Sequence, residues 1–245
     1  MAKRRLLIIG AGKLGGAVLD QLAQFFPDFD YTLASRDRDL TEKRAQLTRY
    51  VCSQWGLYPS ISAEVADLMD TDRTAALLAR TRPDVILNAT TPFPWWQIDD
   101  LPTPLNERAK KAGAGPWSAL DCVLPLQLTR SIAQSGIAAT FVNACYPDMV
   151  NAFLKGEGSG PSTGVGNLSN LVPGLRIAFA RHLGVAVDTV KVRLVAHHAT
   201  SLNSPMLGAA GSAPFYLSID SGDDRLIFTA GDDTCLLYTS PSPRD

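Results

Sequence analysis

The sequence has little histidine, few cysteines, no excess of either charge and no long apolar run, and each shortage excludes something. Lys and Arg number 23 against 24 Asp and Glu, a formal net charge of −1. There is thus no basic field to attract nucleic acid or an anionic membrane surface. No apolar stretch approaches the roughly 20 residues of a membrane-spanning helix. Met1-Ala2-Lys3-Arg4-Arg5 could open a signal peptide, but Gly10, Gly12 and Lys13 interrupt the apolar run after Arg5, so a cytoplasmic protein is expected. Cys52, Cys122, Cys145 and Cys235 are scattered and form no Cys-x-x-Cys pair. That spacing suits a reducing compartment and supplies neither a zinc site nor a disulfide scaffold. No bound metal is expected.

What is present begins at Arg5. Leu6 to Ile9 form a short apolar run that stops at Gly10-Ala11-Gly12-Lys13-Leu14-Gly15, the G-x-G-x-x-G spacing of a dinucleotide-binding turn. In such a turn the first glycine leaves the strand sharply, the second admits a pyrophosphate close to the backbone, and the third lets the helix pack near the sheet. A helix over roughly Lys13 to Phe26, with Leu14, Val18, Leu22 and Phe25 on one face, would direct its unpaired N–H groups and positive dipole end at phosphates. Gly10 to Gly15 are therefore the expected diphosphate contacts.

A second strand over Tyr31 to Ala34 ends in Ser35-Arg36-Asp37-Arg38. NAD-binding proteins place an acidic side chain at this point to accept from the ribose 2′-hydroxyl, whereas a nearby arginine accommodates a 2′-phosphate. Ser35 followed by Arg36 favours NADP; Asp37 leaves NAD open. Further elements alternate: a helix from Asp39 to Trp55 with Leu40, Arg44, Leu47 and Val51 on one face, a strand from Ile61 to Asp67, a helix from Thr71 to Arg80, and a strand within Pro83 to Pro92. Asp67 stands where a carboxylate could contact adenine, while Asp70 or Asp72 suits a helix N-cap. Asn88, Ala89, Thr90 and Thr91 come after the fourth strand and are expected to line the nicotinamide ribose, since ligands of doubly wound sheets bind at the carboxyl ends of strands. Phe93 to Gly115 reads as a Pro/Trp-rich loop, either a lid or apolar cover. A helix over Trp117 to Ser135, with Pro125 at a kink or in its first turn, precedes a fifth strand, Ala138 to Asn143.

The fold class expected is α/β: a doubly wound parallel Rossmann sheet followed by a second, truncated α+β domain. The dinucleotide-binding domain is expected over 1–156 and a partial substrate or dimerisation domain over 157–234; a homodimer is an assembly this layout allows. In the second region Leu168 to Leu183 reads as a helix carrying Arg176, and Thr189 to Ala196 as a strand of period two. Phe215 to Ile219 and Leu226 to Thr229 read as a hairpin. Residues 235–245, CLLYTSPSPRD, read as the in-frame translation of a transposon-end sequencing adapter, so the natural chain is expected to diverge near Thr234 and continue.

These motifs carry two resemblances. IIGAGKLGG, the strand end ASRD, and Asp70 through PDVILNATTP make the first 145 residues similar to the NADP-binding domain of the saccharopine dehydrogenase-like reductases. That likeness implies a nicotinamide cofactor. NACYPD (Asn143 to Asp148), GVGNLSNLVPGLR (Gly164 to Arg176) and VAHHATS (Val195 to Ser201) resemble the layout of the lactate/malate dehydrogenase type. It implies His198 as the proton-transferring group, with Ser201 also in place. His197 stands where that family carries an acidic residue and Ala199 where it carries glycine. No Asp lies six residues after Gly166. From the residues themselves, His198 suits acid/base work near neutral pH and equally a structural strand end, and adjacent strand residues face opposite ways, so His197 or His198 would face a cleft. Arg176 could hold a substrate carboxylate and Asn143 could contact ribose or substrate. The function expected is hydride transfer to or from a small oxo, hydroxy or imino acid, with NAD(P) and a small-molecule substrate as partners. The rival reading is a regulatory protein that senses NAD(P) without turnover.

Overall fold

A computed structural model of the chain describes residues 3–112, 115–145, 149–156, 160–196, 214–222 and 224–229. The chain divides into two compact units, Met1–Val165 and Gly166–Asp245.

In the first unit the elements run β1 (Arg5–Ile9), α1 (Lys13–Phe25), β2 (Asp30–Ser35), α2 (Arg38–Ser53), β3 (Ser60–Val65), α3 (Thr71–Thr81), β4 (Val85–Asn88), α4 (Thr103–Ala112), α5 (Gly115–Ser135), β5 (Thr140–Asn143), α6 (Met149–Gly156) and β6 (Thr163–Gly164). The strands form one six-stranded sheet in the order β3-β2-β1-β4-β5-β6, with every pairing parallel. This is the doubly wound Rossmann order, and it reverses direction between β1 and β4.

β1 explains why the sheet is covered on both faces. Leu6 and Ile8 point into a core shared with Leu19, Ala23, Leu33 and Ala45 from α1, β2 and α2. Leu7 and Ile9 point the other way, into a core with Leu78, Ile86, Leu128 and Phe141. An unbroken apolar run is what a strand buried on both faces requires.

The buried stripes of α1 and α2 differ from the expected ones. α1 buries Gly15, Gly16, Leu19 and Ala23; of the expected face Val18 and Leu22 pack against the core, while Leu14 is 49% and Phe25 72% exposed. α2 buries Thr41, Ala45, Thr48 and Cys52 in place of Leu40, Leu47 and Val51. Apart from Leu19, the fully buried positions of both helices are small or short side chains, which let the helices approach closely, and the other large ones flank the contact. Arg44 crosses between the two helices to pair with Asp20, which also accepts from the Thr48 hydroxyl at 2.6 Å.

Two further departures concern the second half of this unit. The stretch after Pro94 is not a loop: a 3-10 turn (Trp95–Asp100) leads into α4, tied by Lys110 to Asp99 at 2.9 Å and by the Asn106 amide donating to the Ile98 carbonyl at 2.7 Å. α6 comes after β5, and the glycine-rich stretch beyond it supplies a short sixth strand, pairing Val142 with Thr163 and Asn143 with Gly164. Of the two positions the sequence left open for Pro125, the structure shows the interior of α5.

The second unit packs α7 (Leu171–Leu183) against an antiparallel sheet of β7 (Lys191–Ala196), β8 (Phe215–Ser221) and β9 (Asp224–Thr229), in the order β7-β8-β9. Leu175, Phe179, Val190, Leu217 and Ile219 form its core. The expected hairpin is present. β7 starts two residues later than expected because Val187–Thr189 close a 3-10 turn.

Candidate functional site

The glycine turn is built by two close approaches. Gly10 has φ +115°, and a Cβ there would lie 2.6 Å from the Ala89 carbonyl oxygen. A Cβ on Gly15 would lie 1.8 Å from the Gly10 carbonyl oxygen, so only glycine lets α1 start this near β1 and β4. A Cβ on Gly12 would meet nothing within 4 Å; its backbone faces open space.

The start of α1 is left electrostatically free. α2 is capped by Asp37, whose carboxylate accepts the Leu40 N–H at 3.0 Å, and α3 by Asp70, which accepts the Arg73 N–H at 3.0 Å. α1 begins at Gly12 with no side-chain cap and no acidic residue in its first turn. Its first N–H groups and positive dipole end are available to an anion. Lys13 and Leu14 flank this start and are exposed.

A cleft of about 300 Å³ opens in front of that helix start, across the carboxyl ends of β2, β1 and β4. Gly10, Ala11 and Gly12 form its floor; Ser35, Arg36 and Asp67 line one end and Ala89, Thr90 and Thr91 another. Of the residues expected to bind the cofactor, nine therefore meet in one cavity. Leu40, Ala66, Leu68 and Leu124 also line it. Ala66 and Leu68 flank Asp67, which could have pointed to them; nothing local marks Leu124.

The polar groups of the cleft differ in how free they are. The Ser35 hydroxyl lies 2.6 Å from that of Thr41 and 3.1 Å from the Asp37 carbonyl, so its proton is engaged at the start of α2. Asp67 accepts the Met69 N–H at 3.0 Å through Oδ1. Arg36 is exposed, and among the described residues it has no ion-pair or hydrogen-bond partner. It is the free cation of the β2 end.

Asn88 and Asn143, expected at the ribose and the substrate, are both fully buried. The Asn88 amide donates to Asn143 Oδ1 at 2.8 Å, and Asn143 donates in turn to Asn151 Oδ1 at 2.8 Å. Asn88 Oδ1 accepts from the Thr90 backbone N–H at 3.2 Å and hydroxyl at 2.7 Å. Their side chains thus hold one another and position Thr90 at the cleft wall. Arg176 lies exposed on α7 in the second unit. In the same unit Arg193 of β7 pairs with Asp220. His197, His198, Ser201, the Tyr146-Pro147-Asp148 turn and residues 235–245 lie outside the described residues.

One carboxyl group was missed by the sequence reading. Asp121 on α5 is only 6% exposed, and burial pushes its carboxyl up to about 6. Next to it the Cys145 thiol is pushed up to about 12, first by burial and then by the Asp121 and Cys122 charges. Among the described residues no group of three or more His, Cys, Asp or Glu could hold a metal ion.

Residues 6–98 match the family model described as the saccharopine dehydrogenase NADP binding domain. The motifs from Ile8 through Pro92 that carried the first resemblance lie inside that span, which covers β1 to β4 and both walls of the cleft. The N-terminal unit is accordingly a nicotinamide-dinucleotide-binding Rossmann domain. Solved structures supply the second likeness. Malate dehydrogenase from Cryptosporidium parvum is 17% identical with a TM-score of 0.56, over 80% of this chain and 56% of that one. Malate dehydrogenase from Picrophilus torridus is 20% identical at 0.56, over 80% and 55%. Lactate dehydrogenase from C. parvum, solved with lactic acid and NAD, is 14% identical at 0.53, over 81% and 56%. At these identities the likeness is one of fold, and the chain spans a little over half the length of these enzymes. No curated protein matches the sequence significantly.

Proposed function

We propose that this protein is an NADP(H)-dependent oxidoreductase that moves hydride to or from a small oxo, hydroxy or imino acid. The observation that carries the cofactor preference is Arg36: a guanidinium lining the cleft at the end of β2, with no carboxylate partner among the described residues. Asp37 also lines the cleft, but one oxygen of its carboxylate is engaged in capping α2, which weakens its claim on a ribose 2′-hydroxyl. A free guanidinium can make paired, charge-assisted hydrogen bonds to a 2′-phosphate.

The residues present fit such a cofactor. The uncapped start of α1 and the open space before Gly12 suit a diphosphate. Ala66, Asp67 and Leu68 suit the adenosine end, and Ala89 to Thr91 the nicotinamide ribose. When bound, NADPH supplies the hydride. The chain's own part is to bind and orient it, exclude water and provide a proton. His198 is proposed for proton transfer and Arg176 for the substrate carboxylate, both on the lactate/malate dehydrogenase resemblance.

The decisive experiment is calorimetry with NADPH and NADH, then NADPH oxidation with a panel of 2-oxo acids, with and without amines. Tighter NADPH binding and turnover are expected. Binding without turnover on any substrate supports the regulatory reading instead, and binding of neither dinucleotide removes both.

A further inference from the structure

The cleft opens at the carboxyl ends of the strands, and the opposite edge of the sheet carries a surface of another kind. α1 and α2 run side by side and in step: a Cβ on Gly16 would meet the Arg44 side chain, and Asp20 accepts from the Thr48 hydroxyl. The next turn brings Gln24 level with Cys52, so the helix ends Phe25 and Ser53 emerge together. The strands that follow are also in step, with Asp30 of β2 beside Ser60 of β3. Residues 25–29 and 55–59 therefore lie next to each other at the amino edge of the sheet.

These two segments divide their side chains. Phe29 and Leu57 turn in and pack against the core under α1 and α2. Phe25, Phe26, Trp55 and Tyr58 turn out, each at least half exposed. Neither segment is loosely held. The Tyr31 hydroxyl is 2.8 Å from the carbonyl oxygens of both Leu22 and Phe26, and the Phe29 ring lies 5.7 Å from that of Phe26 and 6.2 Å from that of Tyr31. The N–H groups of Trp55 and Leu57 donate to the Cys52 carbonyl at 2.9 and 3.0 Å, around Gly56 at φ +69°. At these exposures the four rings present about 550 Å² of side chain to solvent. That is near the top of the range for a single patch on a monomer, and more than half of the roughly 800 Å² that each side of a stable interface buries.

The charges at the border point to what covers it. Beside the starts of β1 and β2, Lys3 pairs with Asp30 and Arg5 with Asp84. Arg4 and Asp28 are exposed and, among the described residues, their side chains make no ion pair or hydrogen bond. The Arg4 carbonyl accepts the Asp30 N–H at 2.9 Å, which sets Arg4 beside Phe29. Two residues before Leu6, it falls on the side of the sheet that α1 and α2 cover. Asp28 stands between Phe26 and Phe29. One free charge of each sign bordering one apolar patch is what a surface needs to match itself. A twofold axis through the patch sets Arg4 of each copy opposite Asp28 of the other; a partner charged with one sign would leave one of the two unmatched.

We propose that the patch of Phe25, Phe26, Trp55 and Tyr58 is the interface of a twofold homodimer, bordered by Arg4–Asp28 ion pairs between the copies. Exposed aromatic side chains held by fixed turns lose little freedom on association, and such side chains dominate interface energies. The cleft lies at the opposite edge of the sheet, so the dimer and the oxidoreductase reading fail independently.

The test is sedimentation velocity of the full chain over a concentration series, with Trp55→Ala, Arg4→Glu, Asp28→Arg and the double variant carrying both reversals. The parent should sediment at twice the 26.3 kDa chain mass. Trp55→Ala should weaken the dimer by about 30-fold, the loss of a central aromatic anchor. Each single reversal sets like charges face to face and should weaken it by about 10-fold; the double variant should return to within a few-fold of the parent. Circular dichroism checks that the variants fold. A parent that is monomeric at every soluble concentration overturns the proposal, as does a dimer indifferent to Trp55→Ala. So does a double variant that stays as weak as the single ones, or growth past the dimer, which a closed twofold contact does not allow.

Discussion

Gly12 and Gly15 stand three residues apart in one motif and do opposite things. A methyl on Gly15 would fall on a backbone oxygen of Gly10 that cannot swing aside, whereas one on Gly12 would enter open space. Gly15→Ala should therefore destabilise the fold by about 3 kcal/mol, at the upper end for overpacking, seen as a lowered urea midpoint. Gly12→Ala should leave that midpoint within about 1 kcal/mol of the parent and weaken dinucleotide binding instead. Arg36→Ala should weaken NADPH by about 10- to 100-fold, the worth of one or two hydrogen bonds to a charged group, and NADH by far less. Equal losses by calorimetry would void the NADP assignment.

Asp121 also makes a prediction about stability. Its carboxyl is raised from 3.8 to about 6 in the fold, so the folded state binds the proton more tightly than the unfolded chain. The stabilisation from that proton is complete below about 4 and is lost as pH rises through about 6. Above that, the fold must hold a carboxylate in a largely buried site. Asp121→Asn should therefore be more stable than the parent at pH 8, by about 3 kcal/mol from a shift of this size, and the difference should shrink toward pH 4. A urea midpoint for the variant that equals the parent's at pH 8 would contradict this.

At the scale of elements, what could be read from the sequence was whatever is encoded locally. β1 announces itself as an apolar run ending in the glycine turn, and α3 as a helix whose cap is Asp70. Asp70→Ala should cost about 1 kcal/mol, measurable by thermal unfolding. What escaped was set by partners distant in sequence. The two residues of β6 are a strand only because Val142 and Asn143 lie beside them. The Asn88–Asn143 bond joins side chains 55 residues apart, so each asparagine alone looked like a ligand contact. α1 and α2 were placed correctly, but their innermost faces are offset from the expected ones: Val18 and Leu22 of α1 reach only the edge of the core, and close packing selected mostly small side chains for the centre. Asp121 escaped because α5 has apolar residues on more than one face, leaving no pattern in which a single carboxyl stands out.

For the molecule as a whole, each unit has a core of its own, and every cleft residue belongs to the first. A ligand that binds only the folded form stabilises what it touches, by about 2.7 kcal/mol at 100 times its Kd. Hydrogen exchange with saturating NADPH should accordingly slow most at Gly12 to Gly15 and at Ala89 to Thr91. Protection confined to the second unit would place the nucleotide elsewhere. Along the described residues no helix is long and apolar enough to cross a membrane.

The run of amides from Thr90 through Asn88 and Asn143 to Asn151 has a consequence for how acidity acts on this domain. Carboxamides neither gain nor lose protons across the range in which Asp121 titrates, so the partition behind the cleft keeps its shape from mildly acid to alkaline solution. Acidification over that range therefore leaves the seat of the nucleotide where it was.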